Sequence, residues 1–451
     1  MKSIVDLRRD IKELFRYGLL AVDPYHIIKN TVRISDDSIF IKNGTSDSQS
    51  FDLRQFKRIY VFGMGKATAF MAKALEELLG DKITDGLIVV KYGYTAKLNK
   101  IRIVEAGHPV PDENGFKAAK EILNFLKSAT EDDLVFFLIS GGGSALLPYP
   151  ADGITLDEKI FTTKILLACG ANIRDMNAVR KHISEIKGGQ LSRLAYPATV
   201  VSLILSDVIG DRLDTIASGP TVPDETTFAD AFNVLEKYNI KDKVPKSVVA
   251  RIEMGLQGKI PETPKPGEDV FRKTYNFIVG NNYIALQAIK EKAKDLGYNA
   301  IILSSMVEGE AREVAKVLCA VAKEAMKSGN PISPPACIIC GGETTVTVSG
   351  NGLGGRNQEL CLSAAILLEG ENNIVLMSAG TDGTDGPTDA AGAIVDGTTV
   401  VRARKLGLNP QEYLKNNDSY NFFKKVGDLY ITGPTNTNVM DVQIVLVAQT
   451  K

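Results

Sequence analysis

The sequence has few of the residues that build metal clusters or disulfide frameworks. Its 451 residues include three histidines and five cysteines. His26, His108 and His182 are too scattered along the chain to predict a metal cluster. An odd, sparse set of cysteines predicts no disulfide framework and is typical of a reducing compartment. Cys337 and Cys340 form a C-x-x-C motif, but strand alternation in their apolar run would send the two thiols to opposite faces, which favours a buried strand over a redox or zinc site.

The chain also lacks an excess of charge of either sign and any long hydrophobic run. Fifty-three Lys and Arg residues against 54 Asp and Glu residues give a formal net charge of −1, which excludes the charge pattern of a nucleic-acid-binding protein. No window reaches the roughly 18 uninterrupted apolar residues of a membrane helix. Residues 1–22 carry charges where a signal peptide needs an apolar stretch, and their apolar residues recur at helical spacing. We therefore expect a surface helix on a cytoplasmic protein that binds neither nucleic acid nor membrane.

Length and hydropathy patterning predict two α/β domains. A chain of 451 residues exceeds the size at which a single core usually keeps growing. Short apolar runs alternate with helical patterns, which is typical of largely parallel sheets with helices on both faces. The segment 258–269 is rich in proline, glycine and charge, as linkers are, so we place the domains at 1–265 and 266–451. The predicted strands are Arg58–Phe62, Gly86–Val90, Ile101–Glu105, Leu134–Ile139, Thr199–Leu205, Asn276–Val279, Ala300–Leu303, Ala336–Ile339, Ile374–Met377, Leu429–Ile431 and Val442–Val447.

Glycine-rich loops follow several predicted strands, at the carboxyl edges where α/β proteins bind ligands. In the first loop, Gly63, Gly65 and Lys66 stand between a strand and a helix, where backbone amides often bind anions. Thr68 breaks the dinucleotide fingerprint, and Tyr60 stands where a Walker motif needs glycine. An anion-binding loop and a tight turn with a solvated lysine are both open here.

The second loop contains three consecutive glycines between two hydroxyl side chains. It consists of Ser140, Gly141, Gly142, Gly143 and Ser144, directly after an apolar strand. Three glycines cost backbone entropy that a plain turn need not spend. The loop therefore favours a phosphate-binding role.

Two loops of the second half add carboxylates. Gly341, Gly342 and Glu343 follow one strand, and Asp382 and Asp385 lie among glycines after another. Clustered carboxylates beside a phosphate site repel each other unless a cation is present, and oxygen-rich clusters suit Mg²⁺. The alternative is an array of Asp-Gly turns, which these residue types form readily.

Five more polar residues have a functional or a structural interpretation. Arg356 lies where a helix should start and could grip a carboxylate or phosphate, or be a solvated loop residue. Asp207 at a strand end could hold Mg²⁺, take a proton or cap a turn. His108 could contact substrate or stabilise its own turn. We interpret Lys181 and Lys187 as helix-surface charges.

Together these residues describe anion-binding loops in both halves, a lysine, an arginine and strand-end carboxylates. Phosphoryl transfer needs such groups to position phosphates and to stabilise charge on the moving phosphoryl. No G-x-S-x-G elbow occurs, so serine hydrolase chemistry has no support. The residues alone favour nucleotide or phosphate chemistry in a cleft between domains.

The same residues lie in motifs that follow one another over nearly the whole chain, from about Leu14 to Val447. The motifs are FGMGKA, EAGHPVPDENG, ISGGGSALL, VRKHISEIKGGQL, SDVIGD, IASGPTVPD, CGGETTVTV, GGRNQE, GTDGTDGPTDAAGA and ITGPTNTNVMDVQIVLV. In this order they resemble the glycerate 2-kinase family, the class with a MOFRL C-terminal domain.

The resemblance implies an ATP- and Mg²⁺-dependent kinase that phosphorylates D-glycerate at its 2-hydroxyl, giving 2-phosphoglycerate and ADP. It implies a Rossmann-like N-terminal domain and a MOFRL-type C-terminal domain, with the active site in the cleft between them. Lys66 of FGMGKA and Arg356 of GGRNQE would be the groups used for catalysis and for substrate or phosphate contact.

The remaining site residues lie in these motifs, and the roles of the carboxylates are inferred from their chemistry. Asp207 is expected to bind Mg²⁺ or to take the proton from the 2-hydroxyl. The nucleotide-binding candidates are Gly63, Gly65, Ser140, Gly141, Gly142, Gly143, Ser144, Gly341 and Gly342; the metal candidates are Asp207, Glu343, Asp382 and Asp385. Asn436 replaces an expected glycine after GPT, and asparagine tolerates left-handed backbone better than most residues, so we expect no loss of fold.

Two other functions are compatible with the same scaffold. A hydroxypyruvate reductase using NAD(P)H shares the three-carbon acid but needs the dinucleotide fingerprint that fails at Thr68. A binding-only regulator would recognise a sugar acid or nucleotide without turnover, and would not need Lys66, Arg356 and the carboxylate loops together. The expected partners are small molecules, and the expected assembly is a homodimer.

Overall fold

The computed structural model describes residues 2–43 and 47–449, and the chain divides into two compact units. The middle unit runs from Pro24 to Val279. The terminal unit combines the residues that precede Pro24 with those that follow Val279. Helix α1 (Ile4–Ala21) therefore belongs to the terminal unit.

The strands of the middle unit form a small antiparallel sheet and a six-stranded sheet. The small sheet consists of β1 (Val32–Ser35), β2 (Ser38–Asn43) and β3 (Asp47–Asp52). The large sheet contains β4 (Arg58–Met64), β5 (Asp85–Lys91), β6 (Ile101–Ala106), β7 (Asp133–Ile139), β8 (Thr199–Leu205) and β9 (Thr274–Gly280). Its order is β6-β5-β4-β7-β8-β9, and the pairings from β6 to β8 are parallel.

The strand order of the large sheet reverses next to β4, and α/β proteins often bind ligands at such a point. From β4 the chain continues to β5 and β6 on one side, whereas β7 and β8 lie on the other side. In such sheets the loops diverge where the order reverses, and they leave a crevice at the carboxyl ends of the strands. Because β4, β7 and β8 are parallel, the loops that follow them emerge at this same edge.

Helices cover the large sheet because their apolar residues recur along one face. In α4, Asp112 accepts a hydrogen bond from the amide of Gly115 and so caps the helix, and Ala118, Ile122 and Leu126 are buried against the strands. The helices of the middle unit are α2 (Pro24–Thr31), α3 (Thr68–Leu79), α4 (Glu113–Leu126), α5 (Gly143–Leu146), α6 (Leu156–Ala168), α7 (Ile173–His182), α8 (Gln190–Ala195), α9 (Phe228–Lys237) and α10 (Lys246–Leu256).

The terminal unit is a six-stranded sheet with helices, in the strand order β10-β11-β15-β12-β13-β14. Its strands are β10 (Asn299–Val307), β11 (Ala336–Gly342), β12 (Ile374–Gly380), β13 (Gly392–Asp396), β14 (Leu429–Tyr430) and β15 (Asp441–Val447). Its further helices are α11 (Asn282–Asp295), α12 (Ala311–Ser328), α13 (Arg356–Leu367), α14 (Thr399–Lys405), α15 (Pro410–Lys415) and α16 (Ser419–Val426).

The two-domain α/β class is confirmed, but the second sheet is mixed rather than largely parallel. Strand β10 pairs with β11 in parallel, whereas β15 lies antiparallel between β11 and β12. The pairs β12–β13 and β13–β14 are also antiparallel. As a result Asp441, the first residue of β15, lies between Gly342 and Gly380, the last residues of β11 and β12.

The observed division of the chain differs from the predicted boundary at residue 265. The proline-rich segment packs into the middle unit: Thr263 is buried and donates a hydrogen bond of 3.0 Å to Asp224. The middle unit then continues through β9. At the other end of the chain, α1 buries Leu7, Ile11 and Leu14 in the core of the terminal unit.

Within residues 2–43 and 47–449, no helix has the length and apolar character needed to cross a membrane. The five cysteines are free thiols. Cys337 and Cys340 belong to two different core clusters, as strand alternation predicts for residues on opposite faces.

Candidate functional site

The Lys66 loop is held tightly against the loop that follows β7. The amide of Lys66 donates to the carbonyl of Gly141 at 2.9 Å, and the amide of Ala67 donates to Ser140 Oγ at 3.1 Å. A Cβ at Gly65 would lie 2.1 Å from Ser140 Oγ, so this approach requires glycine, which also adopts φ +140° there. The amides of Lys66 and Ala67 thus bind protein atoms of the neighbouring loop.

The glycine loop places Ser144 next to two cationic side chains. Ser140 is buried and bonds to Thr68, whereas Ser144 lies in the short helix α5. Ser144 Oγ accepts a hydrogen bond of 2.7 Å from Lys187 Nζ and another from Arg180. Lys187 also donates to the Ser144 carbonyl at 3.0 Å. Lys187 is therefore not the helix-surface charge that the sequence predicted; it is 2% exposed.

Ser218, in the segment that follows β8, also contacts Ser144. Ser218 Oγ lies 3.2 Å from Ser144 Oγ and donates to Asn177 Oδ1 at 3.1 Å. Ala217 and Ser218 have φ values of 50° and 64°. Left-handed backbone is uncommon for residues with a Cβ, and such positions cluster at functional sites.

His108 and Asp207 lie at the same edge of the large sheet. The ring of His108 lies against Gly142, with Lys66 on the same side. Burial, together with the charges of Lys66 and Lys91, lowers the pKa of His108 to about 4, so its imidazole is neutral at pH 7. Asp207 follows β8 and is partly buried. The structure thus brings Lys66, His108 and the glycine loop together.

In the terminal unit, two carboxylates hold Arg356 at the start of α13. Its Nε and Nη2 atoms bind the two oxygens of Asp441 at 2.5 and 3.1 Å, and Nη1 lies 2.7 Å from Glu343 Oε1. Burial lowers the pKa of Arg356, but the charge and hydrogen bonds of Asp441 and the charge of Glu343 outweigh burial and raise it. The guanidinium is about one-third exposed, so an anion can still reach it.

Asp385 fixes the first turn of the same helix. Its two oxygens accept hydrogen bonds from the amides of Asn357, at 3.1 Å, and Gln358, at 2.8 Å. Gly355 precedes the helix, and a Cβ there would lie 2.3 Å from the carboxyl carbon of Asp385. Burial raises the pKa of Asp385 to about 6, helped by the charge of Asp441 and opposed by the two amides. Asp385 therefore acts as the cap of α13.

The predicted metal ligands of the terminal unit have protein partners in the structure. Among the described residues, no group of three or more His, Cys, Asp or Glu side chains is placed to hold a metal ion. Asp382 accepts hydrogen bonds from the amide and hydroxyl of Thr384, both at 3.0 Å. Asp382 thus stabilises a local turn and Asp385 stabilises the start of α13, and their role in metal binding stays a prediction. Glu343 is engaged by Arg356, and Gly341 and Gly342 are the last residues of β11.

Several residues of these sites carry no distinct signal in the sequence. Asp441 begins a strand in the last motif, and its role follows only from the insertion of β15 between β11 and β12. Arg180 lies in the helical pattern of α7, where charge usually means a solvated face. The motif VRKHISEIKGGQL, which contains Arg180 and Lys187, was the sequence signal that could have indicated a role for these two residues.

Comparison with known proteins agrees with the motif order. Residues 10–253 match the family model described as a domain of unknown function, DUF4147, and residues 336–441 match the MOFRL family. The glycerate 2-kinase of Pyrococcus horikoshii is 45% identical, with 98% of both chains covered. The D-glycerate 2-kinase of Thermotoga maritima is 48% identical over 86% of this chain and 91% of its own.

A solved structure extends this similarity to the fold. The crystal structure of a glycerate kinase from Thermotoga maritima superposes with a TM-score of 0.86 at 44% identity, covering 98% of this chain and 99% of that one. Family models, full-length identity and fold agree, and the chain belongs to the glycerate 2-kinase family with a MOFRL C-terminal region.

Proposed function

We propose that the protein transfers the γ-phosphoryl group of ATP to the 2-hydroxyl of D-glycerate, giving 2-phosphoglycerate and ADP. The observation that carries the proposal is the presence of Lys66 and Arg356, each held by its own local structure, in a chain 45% identical to a glycerate 2-kinase over 98% of its length. Lys66 follows a strand at the switch point of the large sheet, and Arg356 begins a capped helix.

Each site residue has a role that follows from its chemistry. Lys66 neutralises negative charge that develops on the phosphoryl group during transfer. Arg356, oriented by Asp441, binds an anionic group of a substrate in a fixed direction. Asp207 accepts the proton of the 2-hydroxyl. The neutral imidazole of His108 can donate or accept a hydrogen bond without adding charge.

We propose that Mg²⁺ enters with ATP rather than occupying a protein cage. Mg²⁺ is commonly held by one or two carboxylates and by substrate phosphates. Glu343 is the carboxylate we propose for such a role, because Asp207 is assigned to the proton and both oxygens of Asp385 already bind amides. Activity should vanish when EDTA removes the metal and return when Mg²⁺ is added.

A coupled assay tests the proposed reaction against its two alternatives. ADP release is followed by pyruvate kinase and lactate dehydrogenase with ATP, Mg²⁺ and either D- or L-glycerate, and a separate cuvette contains NADH and hydroxypyruvate. The proposal predicts ADP release that requires D-glycerate and no NADH loss with hydroxypyruvate. NADH oxidation in the second cuvette would support the reductase. Binding of D-glycerate without ADP release would support the regulator.

We further infer a cytoplasmic homodimer. The free cysteines of the described residues suit a reducing compartment. Light scattering on the purified protein should give twice the chain mass of 48.8 kDa, and a single-chain mass would contradict the dimer.

A further inference from the structure

Three cationic side chains of the middle unit meet in its interior. Lys159 on α6 and Lys187 after α7 are 5% and 2% exposed, and Arg180 on α7 is partly buried. We call these three residues the cationic cluster. Lys187 and Arg180 both donate to Ser144 Oγ. The charge of Arg180 acts on both lysines, so the three groups are close enough to repel one another.

No carboxylate within the described residues forms a salt bridge with the cluster. The acceptors around it are neutral: the hydroxyl and carbonyl of Ser144 and the side-chain oxygen of Asn177. Ser144 Oγ accepts from two cations, so its own proton is directed to Ser218 Oγ, which in turn donates to Asn177. Lys187 and Arg180 thus have hydrogen-bond acceptors, but no negative charge of the described residues compensates the positive charge of the cluster.

Lys159 shows that a partner is missing. Its Nζ atom is buried and has no hydrogen-bond partner in the structure. Burying an ammonium group is unfavourable even after relaxation of its surroundings, and an unpaired donor adds a further cost. Lys181 on α7 shows how this unit compensates a buried lysine elsewhere: its Nζ lies 3.1 Å from Asp224.

We propose that the cationic cluster binds a compact oxyanion, either a carboxylate or a phosphate group of a small ligand. This inference deepens the proposed function and rests on it, because the reaction offers both sources: the carboxylate of D-glycerate and the phosphates of the nucleotide. Ser144 ends the glycine loop beside Lys66, so the oxyanion lies on the edge of the sheet that presents Lys66. Lys159, Arg180 and Lys187 thereby become ligand-binding residues.

Calorimetric titration without turnover tests the site. The wild-type protein is titrated separately with D-glycerate, its neutral analogue glycerol, inorganic phosphate and ADP. Lys187→Met and Lys159→Met are compared with Lys97→Met, which alters an exposed lysine of the same unit. Lys159→Met separates loss of binding from loss of the fold. Removing a buried ammonium group that has no partner should leave the melting temperature unchanged or raise it.

Both cluster variants should weaken binding of an oxyanion probe by about 10- to 100-fold, whereas Lys97→Met should bind normally. Weakened D-glycerate binding identifies the carboxylate as the occupant. Weakened binding of phosphate and ADP identifies the phosphate. Wild-type affinities in both cluster variants, or no binding of any probe by the wild-type protein, would overturn the proposal. Binding through the cluster without phosphoester formation would refute the proposed reaction alone.

Discussion

Lys181 and Lys187 are both buried, but in the part of the chain that the structure describes only Lys181 has a carboxylate as its partner. Asp224 compensates Lys181, and Asp224 in turn accepts hydrogen bonds from Thr226 and Thr263. Lys187 has only the neutral oxygens of Ser144 as hydrogen-bond partners in the described structure. A lysine with its own carboxylate stabilises the fold, whereas one without such a partner is suited to a ligand.

The cationic cluster predicts that binding an oxyanion takes up protons. Burial and the charge of Arg180 lower the pKa of Lys159 to about 7, so at pH 8 most of its side chains are neutral. An anion favours the charged form and raises this pKa, because Ser144 and the other two cations offer no competing negative charge. Affinity should therefore fall as the pH rises above 7.

Titrations at pH 8 in two buffers with different heats of ionisation measure this uptake. The apparent binding enthalpy should differ between the buffers for the wild-type protein, and the difference should shrink in Lys159→Met. Identical enthalpies in both buffers would mean that Lys159 does not change protonation on binding.

Lys66 should be needed for turnover and dispensable for folding. In Lys66→Ala the backbone bond to Gly141 remains, so the loop keeps its position, but the charge that stabilises the phosphoryl group is lost. We expect kcat to fall by about two orders of magnitude or more, with an unchanged melting temperature. Lys97→Ala is the matched control, and near-normal turnover in Lys66→Ala would remove Lys66 from the mechanism.

Asn436 is a residue whose conformation the sequence predicted correctly. Its φ is 62°, in the left-handed region that asparagine and glycine tolerate. Asn436→Gly should therefore change the free energy of unfolding by a few tenths of a kcal/mol, whereas Asn436→Val should lower it by about 1–2 kcal/mol. Urea denaturation of the three proteins measures this, and equal stability of the valine variant would contradict the strain argument.

At the scale of elements, the N-terminus of α13 depends on a residue far away in the sequence. Asp385→Ala would leave the amides of Asn357 and Gln358 without acceptors in a buried place. We expect the free energy of unfolding to fall by about 1–3 kcal/mol. Asp389→Ala alters an exposed carboxylate of the same loop and should stay within about 0.5 kcal/mol of the wild type.

The pH dependence of this effect has a definite sign. The pKa of Asp385 is raised to about 6 from its ordinary value of 3.8, so the folded state binds more protons than the unfolded state between these values. The contribution of Asp385 is full below about pH 4 and declines as the pH rises through 6. The gap between wild type and Asp385→Ala should therefore be larger at pH 4 than at pH 7; a gap that grows with pH would contradict the assignment.

The strands illustrate what local patterning can predict. Thr199–Leu205 has the predicted bounds, because its mostly apolar run, with two valines and an isoleucine, is what a strand buried on both faces requires. The hairpin strand Asp47–Asp52 and the short strand Gly392–Asp396 gave no such run and were missed. The position of β15 depends on pairing with β11 and β12, which are distant in the chain. Local hydropathy therefore does not predict where β15 lies in the sheet.

At the scale of the whole molecule, chain order and spatial order differ at the N-terminus. Helix α1 precedes the middle unit but packs with α11 and the sheet of the terminal unit, with Phe15 against Tyr430. Amphipathic spacing predicted the helix and its buried face, but hydropathy does not say which core receives that face. For the same reason the composition of residues 258–269 suggested a linker where Glu262 and Thr263 are in fact anchored.

Burial is likewise a property of the whole fold. The candidate site residues that were predicted lie in loops, whereas the one that was missed is a buried residue of a helix. Lys66 and Arg356 lie in glycine-rich motifs that mark loops. Lys159 lies in a helix and becomes unusual only because the fold removes it from water without a partner. The sequence thus predicted the loops of the candidate site but not the charge buried behind them.

The most direct test of the proposed function is ³¹P NMR of the purified protein with ATP, Mg²⁺ and D-glycerate. We expect a 2-phosphoglycerate resonance to grow as the γ-phosphate resonance of ATP disappears, and this change should require Lys66. A 3-phosphoglycerate resonance would contradict the assigned position of transfer, and ATP signals that stay constant would contradict the kinase itself.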